Sequence, residues 1–331
     1  MSVDLLSASA ASDKPLCLVM GMSRAGTTSA VRALNLRGDT AAFGETCFWS
    51  LKQSHPKSGL MDRQAIDEVA NIFATTHLYP VQDGAGSLEP SRDELSSVIA
   101  AAIRAVGAPA RPLTVFRALG AAVAKATEKT FWVEKTPHHL MHLDYVMQQA
   151  PDTRVIIMLR TPEAFLNSYK HQGDRKPTAT RQSFHRLYHP ALAALVCRGY
   201  LKATLNAVER YPDNVQILKL EDVSSDPQRA LNGMFSHFQL SANSESYFPV
   251  SNSSFVNGVS RDELSRAEIT WLSILAGSYA RELGFQIPAG CHHIGELLQS
   301  LPALVAWPFV NLHTFLSHKL SPFALAKRWL R

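Results

Sequence analysis

Short apolar runs alternate with longer stretches of helical period along this chain. "LCLVM" (16–20) is an unbroken apolar run that ends at Gly21. A run of that length without polar alternation predicts a strand buried on both faces. "TSAVRALNL" (28–36) follows with helical spacing. "TAAF" (40–43), "FWVEK" (131–135), "RVIIML" (154–159) and "VQILKL" (215–220) read as further strands. "HHLMHLDYVMQQA" (138–150) and residues 191–210 read as helices between them. Strands separated by helices predict an α/β fold of P-loop type, a parallel sheet flanked by helices, with ligands at the strands' carboxyl ends. Residues 60–130 are alanine-rich and helical in pattern, broken by the loop "PVQDGAGSLEPSR" (80–92). The organisation expected is a flexible N-terminus over 1–14, one domain over 15–290 with a helical insertion or lid at about 51–130, and an apolar-basic helical tail over 291–331.

The first candidate site is "GMSRAGTTS" (21–29), set between a strand and a helix. A Walker loop reads G-x-x-x-x-G-K-[ST]. Gly21, Gly26 and Thr28 fit it, but Thr27 stands where the lysine belongs and Arg24 comes three residues earlier. Backbone N–H groups at such a helix start cradle an anion, and an arginine fork can reach it. No acidic magnesium ligand accompanies the loop. It therefore suggests a 5′-phosphate held without ATP-transfer machinery; the bland alternative is a plain strand-to-helix turn. In "VIIMLRTPEAFLNSY" (155–169), Arg160 follows a strand, Pro162 opens a helix and Ser168 lies two turns into it. Arg160 and Ser168 so placed can hold a second phosphate.

Composition narrows the classes. The chain has 331 residues and is 46% hydrophobic, enough for a full core. Net charge is +5, and residues 153–210 hold ten Lys/Arg against three acids, which reads as a solvated face or as the seat of an anionic ligand. Aromatics do not interleave with these charges, which argues against nucleic acid. Cys17, Cys47, Cys197 and Cys291 form no C-x-x-C pair and suit a reducing compartment. No secretory leader is evident, so the expected location is cytoplasmic. The apolar stretch 301–316 is broken by Pro302, Pro308, Asn311 and His313, too short for a span, and a basic end follows. A packed terminal helix is the expectation, with peripheral membrane contact as the alternative. His138, His139 and His142 have metal-ligand spacing on a helix, but no acidic or cysteine cluster supports it, so no metal is expected.

"GMSRAGTT", then "EKTP", then "LRTP" with Ser168 beyond, resembles the order of motifs in sulfotransferases that use 3′-phosphoadenosine 5′-phosphosulfate (PAPS). "VQILKLEDVSSDPQRALNGMFSHFQL" (215–240) resembles that family's "YEDL…DP" segment, and "NSSF" (252–255) a late segment near the nucleotide. The likeness covers about 15–285 and is nearest the bacterial, tyrosylprotein and carbohydrate enzymes. It departs from the cytosolic steroid and phenol branch, whose loop starts with lysine, and lacks the Golgi enzymes' anchor. The resemblance implies that Arg24, Ala25, Gly26, Thr27 and Thr28 bind the phosphosulfate, with Arg24 also offsetting charge on the leaving phosphate. Arg160 and Ser168 would take the 3′-phosphate, and Ser253 and Ser254 would lie near the nucleotide. Glu45, in "FGETCFW", matches the position of the family's general base; otherwise it caps a helix or pairs with a cation. Lys135 would contact sulfate or acceptor, or else lie on the surface. His138 would face the acceptor, with His139 and His142 on the helix surface. The acceptor would be a small molecule or glycan: a carbohydrate, glycolipid, tyrosine or secondary metabolite. The alternatives are a P-loop kinase, against which Thr27 counts, and a nucleotide-binding protein without catalysis.

Overall fold

The computed structural model describes residues 15–76, 78–80, 91–172, 174, 185–241, 246–248, 263–287 and 294–311. They fall into two compact units. The first comprises the described residues of Met1–Leu159 and Tyr211–Ser251, the second those of Arg160–Arg210 and Asn252–Arg331.

The first unit holds the sheet. Its strands are β1 (Cys17–Gly21), β2 (Thr40–Gly44), β3 (Tyr79–Pro80), β4 (Phe131–Lys135), β5 (Arg154–Leu159) and β6 (Val215–Lys219), in the order β3-β2-β4-β1-β5-β6. Five are mutually parallel, and β3 adds an antiparallel edge to β2. β1, β2 and β5 are buried almost throughout, as expected of strands covered on both faces. The connection from β1 runs to one side of the sheet and that from β5 to the other. The reversal falls between β1 and β5, where parallel sheets present their ligand crevice.

Helices α1 (Thr27–Asn35), α2 (Arg63–Ala74), α3 (Arg92–Arg104), α4 (Pro112–Ala126), α5 (Leu143–Gln149), α8 (Leu220–Ser225) and α9 (Pro227–His237) complete this unit. Between β2 and β4 the chain is helical: α2 packs on α3, α3 on α4, and α4 on β4. α4 comes very near the sheet because Gly120 has no side chain. A Cβ there would lie 2.4 Å from the Trp132 ring. Residues 138–150 read as one helix but divide into a 3₁₀ turn (Pro137–His142) and α5. Pro137 starts the turn, and the His139 N–H closes an i→i+3 bond on the Thr136 carbonyl at 3.0 Å.

The second unit is helical: α6 (Pro162–Lys170), α7 (Pro190–Arg210), α10 (Arg266–Glu282) and α11 (Ile294–Val310). Buried Glu268 ties it together. Its Oε1 accepts from Tyr188 at 2.6 Å, and its Oε2 accepts from Lys170 at 3.1 Å and from the Ser265 N–H at 2.7 Å. Burial works against its charge, but the Tyr188, Ser265 and Lys170 donors outweigh it and hold the carboxyl below its ordinary range.

Candidate active site

The loop after β1 is shaped by glycine. At Gly21, φ is +120°, and a Cβ would stand 2.1 Å from the Met158 carbonyl oxygen. Only glycine lets β1 end against β5, where the Met22 N–H donates to that same oxygen at 2.9 Å. The chain then turns through Arg24 (φ 70°) and Gly26 (φ 83°), both left-handed. Gly26 caps α1 with no side-chain hydrogen bond, and the first turn has no acidic residue. The amides of Thr27, Thr28 and Ser29 have no carbonyl one turn back within the helix. Arg24 is exposed, Gly26 and Thr28 are half-buried, and Ala25 and Thr27 are buried. Alternating left-handed residues before a helix start form an anion-binding concavity.

Two strands over, β2 and β4 pair with Gly44 opposite Lys135. A Cβ on Gly44 would meet the Lys135 carbonyl at 2.2 Å and Cε at 3.0 Å, so the glycine gives the lysine stem its channel. The Gly44–Glu45 peptide is cis. Lys135 Nζ donates to Glu45 Oε1 at 2.7 Å; the lysine side chain is 6% exposed and the glutamate 53%. A cation is thus buried behind a carboxylate that stays open to solvent. Both lie at the carboxyl edge of the sheet, as does the loop after β1.

Behind this pair sits a second carboxylate that the sequence reading left unassigned. Glu134 is fully buried. Its Oε1 accepts from the Thr46 hydroxyl at 2.8 Å, the Thr46 N–H at 3.2 Å and the Thr136 hydroxyl at 2.5 Å. Its Oε2 lies 3.1 Å from His139 Nδ1. The Trp49 N–H donates to His139 Nε2 at 3.2 Å, so that nitrogen carries the lone pair and Nδ1 carries the proton toward Glu134. The Cys47 N–H donates to the Thr136 hydroxyl oxygen at 3.2 Å. Burial works against the Glu134 charge, but the His139 ring and the Thr136 and Thr46 hydroxyls outweigh it, and the carboxyl titrates below its ordinary range. The sequence signal was available: a glutamate within a run read as a buried strand requires partners.

Of the expected site residues, Glu45 and Lys135 are therefore brought into contact. His139 is corrected: expected on the helix surface, it is fully buried because its ring pairs with buried Glu134. His138 is half-buried in the same turn, its ring 6.1 Å from that of His142. Arg160 and Ser168 belong to the second unit, where Ser168 is buried in α6. Ser253 and Ser254 lie outside the described residues. Among the described residues no group of three or more His, Cys, Asp or Glu is arranged to hold a metal.

Five parallel strands flanked by helices, with a glycine-bounded strand–loop–helix at the sheet's carboxyl edge, make a mixed α/β fold. The chain belongs to the Sulfotransferase family, whose Sulfotransfer_3 model matches residues 15–244. Among solved structures, the sulfotransferase domain of the Synechococcus PCC 7002 olefin synthase shares 15% identity over 83% of this chain and 96% of its own, with a TM-score of 0.50. Sulfotransferase STF9 from Mycobacterium avium shares 15% identity over 86% of this chain and 80% of its own, with a TM-score of 0.48. No curated protein matches the sequence.

Proposed function

We propose that this transferase moves a sulfuryl group from PAPS to a hydroxyl or amine of a carbohydrate, glycolipid, tyrosine or secondary metabolite. The observation that carries the reading is one edge of one sheet. The anion-cradling loop follows β1, Lys135 ends the adjacent β4, and Glu45 follows the next strand, β2. The loop from Arg24 to Thr28 takes the 5′-phosphosulfate. Arg160 and Ser168 take the 3′-phosphate, with Ser253 and Ser254 near the nucleotide. The acceptor oxygen attacks sulfur while the bond from sulfur to the phosphate oxygen breaks. Lys135 occupies Glu45 Oε1, which leaves Oε2 to accept the acceptor's proton. Arg24 and the first amides of α1 offset the charge left on the phosphate. His138 belongs to the acceptor side. None of these steps calls for a metal.

The proposed compartment is the cytoplasm, supported by Cys17, Cys47 and Cys197, which form no disulfide. The test is labelled-sulfate transfer from PAPS to an acceptor panel, with mass spectrometry of the products. Magnesium-dependent phosphoryl transfer from ATP would overturn the reading in favour of a kinase. Tight binding of 3′-phosphoadenosine 5′-phosphate without turnover on any acceptor would favour a nucleotide-binding protein.

A further inference from the structure

α11 is held to its unit from one side. Trp307 Nε1 donates to the Leu187 carbonyl at 3.1 Å, Asn311 Nδ2 to the Arg186 carbonyl at 3.1 Å, and Trp271 Nε1 to the Ser300 hydroxyl oxygen at 2.9 Å. By the 3.6-residue repeat, Ser300, Trp307 and Asn311 share a face. The opposite face carries Leu298, Pro302, Val305 and Phe309. Leu298 is 55% exposed, Val305 69% and Phe309 75%, with Val310 beside them at 56%. Four of the nine exposed large hydrophobics among the described residues thus fall on one helix. Scattered apolar residues need no explanation, but a continuous outward stripe does.

Charge indicates what covers it. From Leu297 to Arg331 the sequence contains no acidic residue, while Lys319, Lys327, Arg328 and Arg331 are basic. Trp329 and Phe323 stand among those cations. That stretch of sequence is basic and free of acids, so its complement is an anionic surface. A layer of anionic lipid headgroups would neutralise that charge and accept the apolar stripe at the acyl boundary. We propose that the outward face of α11 docks on the surface of a bilayer carrying anionic headgroups. The contact is interfacial: among the described residues no helix is long and apolar enough to cross a membrane. It is independent of the sulfuryl chemistry, and it would bring acceptors carried on lipid to the enzyme.

The test is flotation of the full chain with phosphatidylcholine vesicles, with and without about one third phosphatidylglycerol, an amount sufficient for a strongly negative surface. Association with the anionic vesicles, weakened by high salt, is expected. The double substitution Val305→Ser, Phe309→Ser should lower that partition roughly tenfold or more while leaving binding of 3′-phosphoadenosine 5′-phosphate unchanged. Failure to float with anionic vesicles would overturn the proposal, as would flotation indifferent to the double substitution. Sedimentation that shows a dimer dissociated by the same substitutions would overturn it in favour of a second copy on this face.

Discussion

Glu134 and Glu45 are two carboxylates close in space and opposite in circumstance, and substitutions should separate their roles. Glu45→Gln keeps size and a hydrogen-bonding oxygen but cannot take a proton. If Glu45 is the base, nucleotide binding should hold while kcat falls by ~10²–10⁴; the melting temperature should drop as well, because buried Lys135 loses its counter-charge. Single-turnover rates on the folded variant check this, and a near-normal rate would move the search to Lys135 and His138. Thr46→Val acts on the other carboxylate, removing a hydroxyl donor from a buried anion. It should cost about 1–3 kcal/mol of stability, largely restored in Thr46→Ser. The Glu134 carboxyl titrates below its ordinary 4.5 when folded. Its contribution is therefore complete above that pH and is lost as pH falls through the depressed folded value. Urea unfolding at neutral and acid pH should show a weaker acid dependence in Glu134→Gln than in the parent. The Glu45 and Lys135 pairing was half-legible, because motif order pointed to both residues but not to their contact. Glu134 and His139 were missed because charged and imidazole side chains are by default assigned outward, and only their long-range partners reverse that.

Glycine decides how elements meet. Gly120→Ala would drive a methyl into the Trp132 ring at 2.4 Å. Overpacking of that kind costs about 1–3 kcal/mol, and Trp132→Leu in the same chain should recover part of it by making room. Denaturant midpoints of the two single variants and the double variant test this, since simple additivity would show that α4 and β4 do not meet there. The five parallel strands were legible because each is a compact apolar run. The edge strand β3 was not, because two residues carry no period and lie where the pattern reads as a loop. The 3₁₀ turn before α5 escaped because helical spacing does not distinguish three residues per turn from 3.6 over six residues.

Arg160 and Ser168, proposed to take the 3′-phosphate, belong to the second compact unit. Arg160→Ala should weaken binding of 3′-phosphoadenosine 5′-phosphate about ten- to a hundredfold, the worth of one charge-assisted contact. Calorimetry on the folded variant reads it, and unchanged affinity would remove Arg160 from the site. The second unit was not legible as a unit. Its helices come from two separate stretches of chain, 160–210 and 252–331, and Glu268 joins residues about a hundred positions apart through Lys170 and Tyr188. No local period encodes such a pairing.

The segment after Glu45 has a consequence for solvent exchange. Thr46, Cys47, Phe48 and Trp49 are four successive amides outside any strand ladder. Each nevertheless donates to a side-chain acceptor: Glu134, the Thr136 and Thr46 hydroxyls, and His139 respectively. Most loops take up deuterium quickly, because their amides face water and open by local fluctuation. This one should take it up at the pace of the strands flanking it, since releasing any of the four exposes part of a buried anion's cage. Glu45 would then be held by a segment that moves only when the sheet does, and the deuterium uptake of its neighbours would report that rigidity with no substrate present.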